Sequence, residues 1–344
     1  MKTEILNIPD ETCVTEIAAA GKILKNGGLA AIPTETVYGL AANALNENAV
    51  KNIFVAKGRP SDNPLIVHIS DFEELLPLVC GNSISDDAKK CMEAFWPGPF
   101  TAVLKKSSLV PKTVSGGLDT VAVRMPGNKV ARAIIKSAGV PLAAPSANIS
   151  GSPSPTTANH CIRDLSGKID AIVVSGDCAV GVESTVVSFA ANPPRLLRPG
   201  GITAEEIKKI VPRLVIDKAV LSEPEKGEKV ASPGMKYKHY SPKANVFLAV
   251  GKSDDFVNYC SKNKSMFDLV MCFDEEIEKI NQKCISFGNE KDYKKQAELL
   301  FAKLREIDDL GAENVLVHAP NKIGVGLAVY NRLIRAAGFK VIEL

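Results

Sequence analysis

At 344 residues, with 45% hydrophobic and 24% charged side chains, the chain has the composition of an ordinary globular protein and exceeds a typical single core, so two domains are expected. Its 42 basic against 39 acidic residues leave a formal charge of only +3, which excludes nucleic-acid binding by bulk electrostatics and leaves any polyanion contact to local clusters. Eight cysteines without a C-x-x-C pair and only four histidines give no metal-site spacing and read as reduced thiols, while no apolar run approaches the roughly 18 residues of a membrane span; with no signal-type core in MKTEILNIPDE, a cytoplasmic protein is expected.

In chain order, Val14, Ile17, Ala18, Gly21 and Leu24 recur at helical spacing over residues 12–26, and Asn26-Gly27-Gly28 supplies the stop. The apolar runs 29–32 and 65–69 read as buried strands. Between them lie Pro33, Thr34, Glu35, Thr36 and Tyr38, and then a helix over 47–57 with Ala49, Ile53, Phe54 and Ala56 on one face. That helix delivers Lys57 and Arg59 into the loop 58–63. Helices are expected over 71–79 and 85–95, the second ended by Trp96-Pro97-Gly98-Pro99. Strands are expected at 101–105, 120–124, 142–145, 171–175 and 184–189, with a helix over 129–137 opened by Pro126 and another over 203–210. Strands and helices mix without strict alternation, which argues for a twisted mixed sheet and against a doubly wound one.

From 211 to 243 the chain is charged, rich in proline and without sustained periodicity. It reads as a linker, giving domains at 1–212 and 244–344 joined by a linker or lid at 213–243. Beyond it, strand-like runs at 245–250, 269–273 and 314–318 alternate with helical stretches such as 292–308, as in a small Rossmann-like α/β domain with a largely parallel sheet. Gly324-Val325-Gly326 lacks the third glycine of a dinucleotide fingerprint and reads as a tight turn into a helix.

No P-loop, G-x-S-x-G elbow or H-E-x-x-H helix occurs. The chemistry has to be sought elsewhere. Lys57 and Arg59 beside Gly58 and Pro60 supply a point charge, a planar fork and a thin backbone, which suits a phosphate-rich ligand. Alone, the pair equally fits the negative end of a helix dipole. Two further clusters, Pro145-Ser146-Ala147-Asn148 and Val182-Glu183-Ser184-Thr185, also follow apolar runs, and three such clusters point to one site. Taken singly, Ser146 and Asn148 are ordinary turn residues, and His68 is a satisfied core histidine.

In order, PTETVYGLAANA, KGRPSDNPL, FWPGPFTAVL, VAVRMP, APSANISGSPSPT, ESTVV and LLRPGGIT, spread over residues 30–203, resemble the YrdC/Sua5 family, the threonylcarbamoyl-AMP synthases. The extra domain and the segment SPGMKYKHYSP at 232–242 resemble its longer form. The resemblance implies a YrdC-like twisted open sheet around a deep cleft. It also implies a reaction joining L-threonine, bicarbonate and ATP to threonylcarbamoyl-AMP and pyrophosphate, the donor for t6A at position 37 of tRNAs reading ANN codons.

By matching positions, the resemblance gives Lys57 and Arg59 the catalytic phosphate contacts. Asn63, Thr120, Ser146, Asn148, Ser154 and Arg198 join Arg59 on ATP, with a linker tyrosine, Tyr237 or Tyr240. Thr36, His68, Arg124, Ala144 and Ser184 form the threonine and carbamate pocket, where Arg124 would grip the carboxylate bidentately. Mg²⁺ is expected to be held mainly by ATP and water, because no carboxylate cage is evident. A threonylcarbamoyl transferase machinery acting on tRNA would receive the product. Two rival functions for this fold class are an RNA-binding module and a carbamoylating domain; neutral overall charge and missing stacking motifs weigh against the first. Met235, Tyr237, His239 and Tyr240 give 232–242 the character of a docked lid, and on that reading the C-terminal domain alone is dispensable for activity.

Overall fold

The computed structural model describes residues 1–82, 84–222 and 240–344. The N-terminal half opens with β1 (Glu4–Asn7), α1 (Val14–Lys25), β2 (Ala30–Ile32), β3 (Gly39–Asn43), α2 (Glu47–Lys57) and β4 (Ile66–His68). It continues through α3 (Asp86–Phe95), β5 (Phe100–Lys105), α4 (Lys112–Ser115), β6 (Thr120–Arg124), α5 (Lys129–Ala138) and β7 (Leu142–Ala143). The remaining elements are α6 (Ala158–Leu165), β8 (Ala171–Val174), β9 (Thr185–Ser188), β10 (Arg195–Arg198), α7 (Ala204–Ile210) and β11 (Val215–Ile216).

Among the described residues these strands form one eleven-stranded sheet in the order β1-β8-β2-β3-β7-β4-β6-β5-β9-β10-β11. Pairing is mixed: β4 runs parallel to β6 and β5 to β9, whereas β3/β7, β4/β7 and β9/β10 are antiparallel. The period of two along each strand sorts the apolar side chains onto two faces. Ala30 and Ile32 join Ala41 and Val173 beneath α1 and α5, while Ala31, Leu40, Ala42 and Ile172 enter the larger core on the opposite side.

The C-terminal half comprises β12 (Asn245–Val250), α8 (Ser253–Lys262), β13 (Leu269–Cys272), β14 (Cys284–Ser286), α9 (Tyr293–Asp309), β15 (Asn314–His318), α10 (Gly326–Ala336) and β16 (Val341–Glu343). Its sheet is parallel throughout, in the order β14-β13-β15-β12-β16. This bears out the expected parallel α/β domain, and Gly326 does begin a helix. No helix among the described residues is long and apolar enough to cross a membrane.

Three expectations need correction. Residues 71–79 do not form an α-helix but short 3₁₀ turns at Phe72–Glu74 and Leu76–Leu78, because Pro77 lacks the N–H that a continuing helix would use. The helix at 129 is opened by Asn128, whose side chain accepts from the Ala131 amide, and Pro126 lies outside it. The stretch assigned to the linker begins as sheet: Val215–Ile216 pairs with β10, and Lys218–Val220 turns beneath the C-terminal domain. Strands β1, β3, β10, β14 and β16 and helices α4 and α6 have no counterpart among the expected elements.

The two halves meet through apolar and charged contacts. Val37 and Val182 of the first half belong to the same buried cluster as Phe301, Leu304 and Leu333 of the second. Arg305 of α9 donates to both carboxylate oxygens of Asp164, at 3.1 and 2.7 Å, and to the Pro153 carbonyl. At Gly181 the backbone is left-handed (φ +75°), and an added Cβ would stand 2.3 Å from the Ala297 carbonyl oxygen. Only glycine permits that approach. Gly181→Ala is therefore expected to destabilise the folded chain by about 2–3 kcal/mol, the order typical of overpacking. Denaturant unfolding measures it, and a midpoint equal to wild type would contradict the tight docking.

Candidate active site

A cleft of about 700 Å³, part of it open to solvent, lies where β2, β4, β6, β7 and β10 end and β3 and β9 begin. One wall is set by the end of α2. Gly58 takes a left-handed conformation (φ +60°), and the Arg59 amide donates back to the Phe54 carbonyl, so the helix closes there and Lys57 and Arg59 turn toward the cleft. Lys57 is 1% exposed. Its ammonium donates to the carbonyl oxygens of Ser146 and Asn148, both at 2.5 Å. Burial, then repulsion from Arg59, pushes its pKa well below the ordinary lysine value. Two of its three N–H donors are thus committed to fixing the 146–148 loop, a task the sequence did not indicate.

That loop is further braced from within. The Ser146 hydroxyl donates to Asn148 Oδ1 at 2.5 Å, and Asn148 Nδ2 donates to the carbonyls of Ile149 and Ser152. The amides of Leu40 and Ala147 bond to the Pro145 and Tyr38 carbonyls, tying the loop to β3.

The opposite wall centres on Arg124 at the end of β6. Its guanidinium pairs with Glu35 at 2.7 Å, donates to Thr36 Oγ1 at 2.9 Å and reaches the Gly98 carbonyl at 3.3 Å. Burial would raise the Glu35 carboxyl, but the Arg124 charge and the neighbouring backbone donors hold it below its usual range. Arg124 is accordingly not an idle fork: it already has Glu35, to which the sequence had assigned no partner. His68 lies beside it, and burial, reinforced by the Arg124 charge, lowers its pKa to about 3. Its ring is neutral at physiological pH.

The third wall joins β9 and β10. Arg198 donates through Nε to the Ser184 carbonyl and through Nη2 to the Ser184 hydroxyl, both at 3.1 Å, and that hydroxyl lies 2.7 Å from Thr101 Oγ1. Glu183, next in sequence, accepts from the Ser154 hydroxyl at 2.5 Å and from Arg332 of α10 at 2.8 Å.

The fold brings Thr36, Lys57, Arg59, His68, Arg124, Ala144, Ser146, Asn148, Ser184, Arg198 and Tyr240 to this one cleft. Asn63, Thr120 and Ser154 do not line it. Asn63 is buried and its Nδ2 donates no hydrogen bond among the described residues, and Ser154 lies one layer back, behind Glu183. Tyr240 holds a left-handed backbone (φ 64°) with its ring 5.4 Å from Phe301. Tyr237 and nearly all of the expected lid at 232–242 lie outside the described residues. Glu35, Glu183 and Arg332 are the site residues to which sequence reasoning gave no role. The available signal for Arg332 was a run of polar residues, Asn331, Arg332 and Arg335, inside a helix that is buried all round.

Among the described residues no group of three or more His, Cys, Asp or Glu converges on a possible metal position. The side chains facing the cleft are mostly cations, hydroxyls and amides, which do not make a home for a resident Mg²⁺.

Fold and site together define a two-domain α/β protein whose first domain curves around a cation-walled cleft able to hold a small polar molecule against a polyanion. The family model Sua5_yciO_yrdC, described as "Telomere recombination", matches residues 22–200, and Sua5_C, described as "Threonylcarbamoyl-AMP synthase, C-terminal domain", matches residues 202–338. The chain is 44% identical to a threonylcarbamoyl-AMP synthase of Pyrococcus abyssi, over 99% of this chain and 100% of that one. It is 42% identical to the threonylcarbamoyl-AMP synthase of Bacillus subtilis, covering 100% of both. Its fold superposes on the crystal structure of P. abyssi Sua5 complexed with L-threonine with a TM-score of 0.91, at 42% identity over 99% of this chain and 100% of that one. The chain belongs to the YrdC/Sua5 family of threonylcarbamoyl-AMP synthases, in its two-domain form.

The buried neutral His68 has a consequence for stability. Its folded pKa of about 3 lies below the model-peptide value near 6.5, so between these pH values the unfolded chain binds a proton that the folded chain refuses. Stability is then fully present above about pH 6.5 and falls as pH is lowered, by about 1.4 kcal/mol per unit from this residue. His68→Gln should flatten the fall measured by denaturant unfolding between pH 6.5 and 4. An unchanged slope would show that His68 is protonated in the folded chain.

Proposed function

We propose that the protein makes threonylcarbamoyl-AMP from L-threonine, bicarbonate and ATP, releasing pyrophosphate, and so supplies the t6A modification at position 37 of tRNAs reading ANN codons in the cytoplasm. The observation that carries this reading is the convergence of Lys57, Arg59 and Arg198 with the Ser146–Asn148 loop on one cleft, opposite the Thr36–His68–Arg124 wall. A polyanion fits the first side and a small zwitterion the second.

In this reading the threonine amine and bicarbonate combine to a carbamate with loss of water. A carbamate oxygen then attacks the α-phosphorus of ATP, forming a P–O bond as the bond to the pyrophosphate oxygen breaks in line. Lys57, Arg59 and Arg198 stand where negative charge accumulates on the departing pyrophosphate. Thr36, already ordered by Arg124 and the Thr34 hydroxyl at 2.8 Å, supplies a polar contact for the amino acid, while neutral His68 and Ala144 bound the pocket without adding charge. Mg²⁺, if present, arrives with the nucleotide. The product passes to the machinery that transfers threonylcarbamoyl to tRNA; the near-neutral overall charge supports no direct role in holding tRNA.

Arg59→Ala should lower threonine-dependent pyrophosphate release a hundredfold or more, about 3 kcal/mol, with little change in Tm. Lys57→Ala should lower both turnover and Tm, because it also releases the carbonyls of Ser146 and Asn148. Near wild-type release by the Arg59 variant would refute its assignment. Valine, which lacks the hydroxyl, should be turned over roughly 10⁴-fold less efficiently than threonine. Comparable turnover of the two amino acids would count against the synthase reading.

A further inference from the structure

Arg332 sits on α10 of the C-terminal domain, yet its guanidinium is fully buried in the catalytic domain. Nε donates to Glu183 Oε2 at 2.8 Å, Nη1 to the Pro199 carbonyl at 2.8 Å, and Nη2 to the Glu183 carbonyl at 3.4 Å. Asn331 Oδ1, 2.9 Å from Nη1, holds the fork in place, and Asn331 itself is anchored to the Val220 carbonyl at 2.6 Å. One side chain therefore staples the turn before β9 to the turn after β10.

Ser184 lies in the first of these turns, and Arg198 is the last residue of β10, directly before the second. The two turns already touch through backbone: a Cβ on Gly200 would stand 2.4 Å from the Thr185 amide nitrogen and 2.5 Å from the Glu183 carbonyl oxygen. Arg332 grips the same Glu183 carbonyl and the residue just before Gly200. A planar fork with several donors can fix two carbonyls and a carboxylate at once, which a lysine cannot do.

We infer that Arg332 is a positioning residue of the catalytic cleft, through which the C-terminal domain holds Ser184 and Arg198 in place. On this inference the C-terminal domain is part of the active site, in place of the expectation that it is dispensable. The inference deepens the synthase reading and rests on it where turnover is the readout. Glu183 lines the cleft, and Arg332, Arg198, Tyr240 and Lys57 are the charged or titratable groups around it. Burial alone would push its carboxyl up; Arg332 first and Arg198 second hold it below the usual range.

The test compares Arg332→Met, Arg332→Lys and the double variant Arg332→Met with Glu183→Gln in the full-length protein. Arg332→Met should lower kcat/KM at least tenfold, mostly through KM for ATP and threonine. It should also add an acid limb to the pH profile, because Glu183 without Arg332 takes up a proton at higher pH. The double variant should lose that limb. Arg332→Lys, which keeps the charge but not the fork, should fold with a Tm near wild type and still raise KM at least threefold. It carries the test if Arg332→Met does not fold. KM values equal to wild type in the Lys variant, or a loss in the Met variant confined to Tm with an unchanged pH profile, would reduce Arg332 to a docking contact and overturn the inference.

The rise in Tm on adding ATP is read separately. It should shrink in Arg332→Met, and a rise equal in wild type and variant, including none in either, also overturns the inference. Wild-type pyrophosphate release that ignores threonine would instead end the synthase reading, while the Tm comparison still decides the role of Arg332.

Discussion

A cation taken out of water is tolerated only where carbonyl dipoles or a carboxylate replace the water, and the arrangement of this cleft follows from that constraint. Lys57 is met by the carbonyls of Ser146 and Asn148, Arg124 by Glu35 and Thr36, Arg198 by both oxygens of Ser184, and Arg332 by Glu183 and Pro199. Each pairing draws a loop inward. The irregular segments around 146–152, 183–185 and 199–201 are thus held by the buried charges they solvate, and the mixed sheet supplies the strand ends from which they start.

The same constraint crosses the domain boundary. Apolar contact alone, through Val37 and Val182, would let the C-terminal domain slide over the catalytic one, since hydrophobic burial is non-directional. Arg305 on Asp164 and Arg332 on Glu183 are directional and buried, so they fix one orientation. Breaking either would leave a carboxylate largely buried without its cation, a cost of several kcal/mol, whereas the pair as a whole adds little to stability. Their contribution is registry.

Local signals in the sequence marked the elements well where they were strong. The helix at 47–57 coincides with its predicted span because Asn46 caps it and Gly58 ends it, and the strand at 120–124 is marked by its β-branched Val-Ala-Val centre. The helix expected over 71–79 failed because Pro77 outweighed the surrounding pattern, and β1, β10 and β14 were too short for periodicity to register. At the site, hydroxyls following apolar strands were a visible anomaly, but the residues alone left the turn reading open; their division between nucleotide and amino acid came from family resemblance. The pairings of Glu35 with Arg124 and of Glu183 with Arg332 were illegible for a simple reason: the second joins residues 149 positions apart, and no local spacing encodes such a contact.

What these pairings leave is a surplus of positive charge facing the cleft. Burial lowers the pKa of Lys57 and of Arg198, and repulsion from Arg59 adds to the first and from Arg332 and Arg124 to the second. The carboxylates offset only part of this: Glu35 is taken up by Arg124, and Glu183, paired with Arg332, is shared with Arg198. Lys57 nevertheless faces Arg59, and Arg198 faces Arg332 and Arg124, in a poorly solvated space. A polyanion entering it removes that repulsion in addition to making its own contacts, whereas an uncharged molecule of the same shape gains only the contacts. Discrimination for a multiply charged ligand is in this way built into the folded state, and it grows with the negative charge that reaches the Lys57–Arg59–Arg198 wall.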